Sequence, residues 1–359
     1  GEAAGEAPPP PPAYLEAARA RDPGAHRAVI VSDGRCWLMK QTALGAAAAP
    51  RVSMADIAGG AGGVVEAAAH LLRAARTGAV DRVIISATSE RAVEFADYLS
   101  RAPDGPLVIA ALAPGAEPDG AQQFYAADVA IAGRLRRHVR GRESRFMIAS
   151  PDAGMLAPFA ALGARTMKLS PFPAEPRLKA SATGRVSFVV VGGSRIAPVR
   201  THLLGGALLL RTRFGRDAQI LLPHDDPHLL AVANAFGAQN VRAYQRLENT
   251  APRSDERRIA LAVFPDGQTP PEVERVAAAG CLPLIGPSGL WGESAPALQV
   301  SFWEDATAIA DQAEAAINNW AHSCELVANA AQRARETSLR QAAELLGAPV
   351  RAEAKAARV

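Results

Sequence analysis

Two segments in the second half of the chain combine glycine, arginine and carboxylate residues as an anionic, hydroxyl-bearing ligand would require. In the first, the apolar run Val186 to Val191 passes directly into Gly192-Gly193-Ser194-Arg195, with Arg200 five positions further on. Glycine lets backbone approach an anion closely, and forked guanidiniums pair with phosphate oxygens. In the second, the apolar run Ile259 to Phe264 is followed by Pro265-Asp266-Gly267-Gln268-Thr269-Pro270-Pro271 and a helix-like stretch carrying Glu274 and Arg275. A loop entering a helix N-terminus aims unpaired amides and a partial positive charge at an anion. A carboxylate such as Asp266 can accept two hydroxyl hydrogens. A solvated strand-to-helix turn has the same composition as Gly192 to Arg200, and that reading stays open beside the ligand one.

Other residues with chemical potential are more isolated. Gly59-Gly60-Ala61-Gly62-Gly63 precedes a helix-like stretch from Val64 that contains His70, which reads as a packed or surface histidine. His224-Asp225-Asp226 lacks a second His or Cys at ligand spacing and reads as a turn, so no metal is expected. Asp56 and Asp152 follow apolar runs and would be the candidates if a general base were needed. Six arginines crowd Arg134 to Arg145; they suit either a solvated helix and loop or an anionic membrane face or polyanion.

The elements that must position these groups alternate in type. In the first half, apolar runs at Arg27–Ser32, Val83–Ile85, Leu107–Ile109, Phe146–Ala149 and Thr166–Leu169 read as strands, with Ala127–Ile131 as a further one. Helical spacing separates them, as at Arg91–Arg101 and Met155–Leu162. In the second half, strands are expected at Val186–Val191, Gln219–Leu222, Val241–Tyr244, Ile259–Phe264, Cys281–Ile285 and Val300–Phe302. Helices are expected at Thr201–Arg213, Leu229–Phe236 and Pro271–Ala279, then from Asp305, an N-cap residue, to Gly347, with a break near Thr337-Ser338. Such alternation predicts βαβ units and parallel sheets. The expected architecture is α/β: two Rossmann-like doubly wound domains facing across a cleft, with C-terminal helices returning to the first. Residues 1–25 form a Pro-rich linker or arm that leads to something upstream, 26–172 the first domain, 171–185 a linker region, 186–347 the second domain, and 348–359 a tail.

The totals fit this division. A chain of 359 residues that is 49% hydrophobic has material for two cores. The 39 Lys and Arg nearly balance the 36 Asp and Glu, so no nucleic-acid partner is expected. Three dispersed cysteines, Cys36, Cys281 and Cys324, suggest a reducing cytoplasm, and no apolar run reaches the ~18 residues of a membrane span. The heavy use of Ala, Arg and Gly matches a GC-rich bacterial genome.

The order of parts over 186–347 resembles the nucleotide-binding domain of retaining GT-B glycosyltransferases, with a weaker likeness at 59–88. In that family a strand ends in a Gly-Arg turn with a cation five residues on, matched here by Arg195 and Arg200. Ala262 to Ile285 is similar to the family segment that contacts donor sugar, phosphates and ribose. The resemblance implies that Asp266 meets sugar hydroxyls, that Gly267, Gln268 and Thr269 meet phosphate, and that Glu274 meets ribose. It also implies that Gly192 and Gly193 admit the diphosphate, and that Gly59 and Gly60 approach the sugar-phosphate from the first domain. The expected activity is sugar transfer from a nucleotide-diphosphate sugar, UDP or GDP type, to a glycan, lipid-linked or protein acceptor. No cofactor or metal is required, and the place is the cytoplasm or the inner membrane face, reached through Arg134–Arg145. Two departures stand out: Arg275 occupies the second acidic position when counted back from Gly280, and Pro270-Pro271 replaces the usual glycines. They favour an alternative, a GT-B-like binding or regulatory module without turnover. An epimerase lacks its acidic and histidine set, and a dehydrogenase lacks GxGxxG with a following acid.

Overall fold

The computed structural model describes residues 27–347 apart from 33–37, 40–41, 48, 60–61, 113–120, 171, 192–196, 216–217, 225, 236, 238–239, 248–251, 263–275, 287–295 and 301–304; for 121–128 and 197–200 it describes the backbone. The chain divides into two compact units, one holding residues up to Leu169 together with those from Ser338 on, the other Ser170–Thr337. Each contains a six-stranded parallel sheet. The fold class expected from the sequence, two Rossmann-like doubly wound α/β units, is the one observed.

In the first unit the elements run β1 (Ala28–Val31), β2 (Arg51–Val52), α1 (Met54–Gly59), α2 (Gly63–Arg76), β3 (Arg82–Ser86), α3 (Glu90–Arg101), β4 (Leu107–Ala111), α4 (Ala121–Val139), β5 (Phe146–Ser150), α5 (Ala153–Ala160) and β6 (Arg165–Lys168). The sheet order is β2-β1-β3-β4-β5-β6. The winding therefore reverses between β1 and β3, as in flavodoxin-like sheets. One face is built from Val29, Val31, Val83, Ile85, Val108 and Ile148, which pack with Leu71, Phe95, Leu135 and Phe159 of the helices. Both faces of these strands are buried, which is why they read as continuous apolar runs.

The strand expected at Ala127–Ile131 is instead part of α4. Ile131, Leu135 and Val139 are buried at intervals of four while Val129 is exposed, a helical pattern that a five-residue apolar window cannot reveal. The second half of the Arg134–Arg145 cluster belongs to the fold: Arg142 reaches Asp97 and Ser100, and Arg145 donates to the carbonyls of Ala102, Gly105 and Pro106.

In the second unit β7 (Val186–Val190), α6 (Ala197–Phe214), β8 (Gln219–Pro223), α7 (Pro227–Ala235), β9 (Val241–Tyr244), β10 (Arg257–Ala262), β11 (Leu282–Ile285), β12 (Leu298–Gln299) and α8 (Ala306–Asn318) follow one another. The sheet order is β12-β11-β10-β7-β8-β9. Read from β9 inward, the order is that of the classical dinucleotide-binding sheet, with its reversal between β7 and β10. Helices α6 and α8 pack closely because Gly206 has no side chain: a Cβ there would stand 2.8 Å from Ile309 Cγ2. Asp305 caps α8 through the Thr307 amide at 2.8 Å, as its sequence position implies. The strand near Val300 is Leu298–Gln299; Ser301 and Phe302 lie outside the described residues.

The last helix, α9 (Trp320–Leu346), is continuous through Thr337-Ser338, where a break was expected. Ser338 is tolerated there because its hydroxyl accepts the buried Ala43 amide at 3.1 Å, a tertiary bond that offsets weak helix propensity. The unit division falls at this same point. Trp320, Cys324 and Val327 belong to the second unit's core, while Arg82 of β3 donates to the carbonyls of Glu344 and Leu345 at 2.8 and 3.2 Å.

Two polar interactions hold these frames. In the first unit Asp97 on α3 is 3% exposed and meets Arg101, Arg142 (2.7 Å) and His138 Nδ1 (3.0 Å). Burial pushes its carboxyl up, but the two guanidiniums and His138 outweigh burial and hold it below the usual carboxylate range. In the second unit Pro223 stands on β8 where an amide would meet the carbonyl of Val190, and proline has none to give. Tyr244 Oη donates to that carbonyl instead, at 3.0 Å.

Asp97→Asn should lower stability by about 3 kcal/mol at neutral pH, the scale for removing one partner of a buried ion pair. Because the folded carboxyl titrates below its unfolded value of about 3.9, this contribution is complete above that pH. It disappears as pH falls through the lower folded value, so urea midpoints of the two proteins should converge in acid. Tyr244→Phe should cost about 1–2 kcal/mol in urea denaturation through the unmet Val190 carbonyl, with the circular dichroism spectrum retained.

Candidate functional site

In open parallel sheets ligands gather beyond the carboxyl ends of the strands at the point where the winding reverses. In the second unit that point is defined by β7 and β10. These strands are paired in parallel from Val186 with Arg257 to Val190 with Leu261, and the Val191 amide donates to the Leu261 carbonyl at 3.0 Å. The two strands therefore end side by side on one edge, at Val191 and Ala262. The two segments singled out in the sequence are the continuations of these two strands. Gly192, Gly193, Arg195, Asp266, Gly267, Gln268, Thr269 and Glu274 themselves, with Arg275, lie outside the described residues. Arg200 falls in the first turn of α6, where its backbone is described.

The surroundings of this edge are described more fully. Tyr244 fixes the last carbonyl of β7 from two strands away, which anchors the exit toward Gly192. His224 is exposed directly after β8, its amide donating to the Tyr244 carbonyl at 3.0 Å. Asp226, two residues on, is buried and accepts the Leu229 amide at 3.1 Å, so it caps α7. Among the described residues no cluster of His, Cys, Asp and Glu has metal-binding geometry. On the far side of β10, Gly280 turns the chain into β11 with φ of 79°; a side chain there would be strained and would stand 2.8 Å from Pro252.

The opposite, amino edge of the same strands carries a different polar group. Ser187, Glu256 and Arg258 are all buried, with Ser187 Oγ donating to Glu256 and Arg258 Nη2 at 3.1 Å from it. Burial raises the Glu256 carboxyl, yet Ser187, the Arg253 amide and Arg258 together bring it below the ordinary range. This cluster pins the base of β7 against β10, a full strand length from the exits. Cys281 beside it is a thiol pushed up to about 12 by burial, and Cys324 is raised to about 11 for the same reason. Neither can serve as a thiolate at neutral pH.

The first unit's candidates are dispersed. Gly59 is the exposed last residue of α1, with open space around it, and Gly60 lies outside the described residues. The turn joins two helices after the edge strand β2 and is not the continuation of β1 or β3. Among the described glycines of this cluster Gly63 has positive φ, at 54°. Asp56 is exposed on α1, and the Asp152 carboxylate accepts the Gly154 amide at 2.8 Å as the cap of α5. His70 is buried on α2, its Nδ1 3.1 Å from Arg73. In the arginine cluster, Arg134 pairs with Glu90 at 2.7 Å, whereas Arg136, Arg137 and Arg140 are exposed. Tyr244 escaped the sequence reading; the signal was a proline on one strand opposite a carbonyl that needed another donor.

No protein-family model matches the chain, and no curated protein matches it in sequence. Solved structures do match in shape. HepE from Anabaena, determined in complex with UDP and glucose, aligns over 90% of this chain and 100% of its own at 11% identity and a TM-score of 0.49. A glycosyltransferase from Rickettsia africae aligns over 89% and 95% at 9% identity, TM-score 0.48. A UDP-N-acetylglucosamine 2-epimerase aligns over 89% and 95% at 11% identity, TM-score 0.46.

Proposed function

We propose that the second unit binds the diphosphate of a nucleotide-diphosphate sugar, UDP or GDP type, beyond the carboxyl ends of β7 and β10, and that the protein transfers the sugar to a glycan, lipid-linked or protein acceptor. The observation that supports this reading is the register of those two strands, which ends them side by side at the points from which both ligand-type segments continue in sequence. On this reading Gly192 and Gly193 let backbone approach the diphosphate, and Arg195 and Arg200 neutralise it. Gly267, Gln268 and Thr269 offer backbone amides, Asp266 accepts sugar hydroxyls, and Glu274 holds the ribose. Charge building on the departing diphosphate is met by cations and amides already in place, which is the form of catalysis that needs neither a metal nor a cofactor. Arg136, Arg137 and Arg140, exposed on one stretch, would supply any contact with an anionic membrane face.

A second reading, a binding or regulatory module without turnover, is favoured by Pro270-Pro271, which removes two amide donors from the phosphate-facing segment, and by Arg275. The two readings agree on nucleotide binding and differ in chemistry.

UDP or GDP should raise the melting temperature of the protein, and EDTA should leave that shift unchanged. Arg200→Ala should weaken the preferred diphosphate by about 10- to 100-fold in calorimetry, as loss of a charge-assisted hydrogen bond requires. Undiminished affinity in that variant would remove Arg200 from the site, and absence of any nucleotide shift would remove the site itself. Slow hydrolysis of the matching nucleotide sugar marks the enzyme; binding without hydrolysis or transfer marks the module.

A further inference from the structure

The charged pairs that join α3 to α4 in the first unit advance together along both helices. Glu90 meets Arg134 at 2.7 Å, and further on Asp97 meets His138 at 3.0 Å and Arg142 at 2.7 Å. The two helices therefore run parallel, and Glu94, one turn on from Glu90, falls level with Arg137 and His138. A pair is missing at that level. Glu94 and Arg137 are exposed, carry opposite charges and line the same groove, yet neither has a hydrogen bond or ion pair among the described residues.

The groove between the helices has a volume of about 520 Å³, within the span of about 300–1,000 Å³ in which small molecules are held. Its apolar part is the buried Val93 and the half-buried ring of Tyr98, with the Arg101 guanidinium 5.1 Å from the ring centroid. The Tyr98 hydroxyl has no hydrogen-bond partner among the described residues. The charges do not balance. Glu90 is matched by Arg134 alone, whereas Asp97 is shared by Arg101, Arg142 and His138. With Arg137 set against Glu94 a positive excess remains, and it grows when His138 is protonated. The donors that carry this excess are accessible: Arg101 reaches Asp97 through Nη2, and His138 presents Nδ1 to Asp97 and so leaves Nε2 for another partner.

We propose that the α3–α4 groove binds a phosphate monoester of a hydroxyl-bearing compound, with Arg101, Arg137 and His138 on the phosphate and Glu94 on a hydroxyl. Forked guanidiniums give paired N–H groups to phosphate oxygens, and a dianion answers the cationic excess. Glu94 would repel a bare anion, so it marks the part of the ligand that carries hydroxyl hydrogens for a carboxylate to accept. Val93 and Tyr98 meet the carbon skeleton between the two ends. A soluble phosphorylated polyol and a lipid with a terminal phosphate present the same chemistry. The groove belongs wholly to the helices of the first unit and does not rest on the nucleotide reading above.

The test is calorimetry of the full chain with glycerol 3-phosphate, with glycerol and inorganic phosphate as comparison ligands. Glycerol 3-phosphate should bind, inorganic phosphate should bind more weakly, and glycerol should not bind. Arg137→Gln should weaken glycerol 3-phosphate by about 10-fold, the low end for one charge-assisted hydrogen bond. Arg136→Gln removes the same charge from an adjacent exposed residue that does not line the groove, and should leave the affinity unchanged. Glu94→Ala should narrow the gap between glycerol 3-phosphate and inorganic phosphate. All three side chains are exposed, so the melting temperatures of the variants should match the wild type, as should their shifts with UDP or GDP. Flotation with phosphatidylcholine vesicles, with and without phosphatidic acid, separates the sources. Retention on phosphatidic acid that Arg137→Gln loses and glycerol 3-phosphate displaces assigns the lipid; binding of free glycerol 3-phosphate without retention assigns the soluble compound. Equal losses in Arg136→Gln and Arg137→Gln would mark diffuse attraction to the arginines of α4 and overturn the groove. So would wild-type protein that binds neither glycerol 3-phosphate nor the acidic vesicles, or vesicle retention that Arg137→Gln leaves intact.

Discussion

The parallel pairing of β7 with β10 is the constraint on which the second unit depends. The 66 residues 191–256 separate these strands, yet hydrogen bonding sets them side by side because the winding runs outward through β8 and β9 and then returns. A right-handed crossover permits this return only by placing the two strand exits on the same edge. The polar groups at the two ends divide the labour. At the amino edge the buried Ser187–Glu256–Arg258 set fastens the strands together, and at the carboxyl edge Tyr244 replaces a donor that proline removed. The strands from which the ligand-type sequence continues are thus fastened at both edges by side chains of the fold.

The first sheet reaches a similar frame with different wiring. Its reversal lies between β1 and β3, and its glycine cluster is displaced to a helix–helix turn beside an edge strand. The glycines that caught attention in the sequence at 59–63 owe at least part of their presence to backbone geometry, since Gly63 is in the left-handed region. Arginines gather instead along α4 and the turn after it, where Arg134 pairs with Glu90 and Arg142 with Asp97 of α3.

Much of this was legible in the chain because parallel strands buried on both faces are short, unbroken apolar runs, as Ala28–Val31 and Val186–Val190 are. Ala127–Ile131 imitated such a run and proved to be helix, since only the longer interval from Ile131 to Val139 exposes the helical period. The helix expected to break at Thr337-Ser338 stays whole because a distant amide, that of Ala43, satisfies the serine, and no local propensity contains that information. The same holds for the candidate sites. The Gly-Arg and Asp-Gly segments could be found by residue type, whereas Tyr244 acquires meaning only through its neighbours on other strands. Serine in an apolar run carries no signal of whether its hydroxyl will find a partner.

Helix α9 has one more consequence, for the order in which the molecule is made. Its early turns enter the second unit's core and its closing turns are bound by Ala43 and Arg82 of the first. During synthesis the first sheet emerges early, but the segment from Ser338 to Leu346 that meets it is translated about 170 residues after β6, at ordinary elongation speeds tens of seconds later. Throughout that interval the carbonyl partners of Arg82 do not yet exist, and the nascent first unit must wait, incompletely covered, for the ribosome to deliver them.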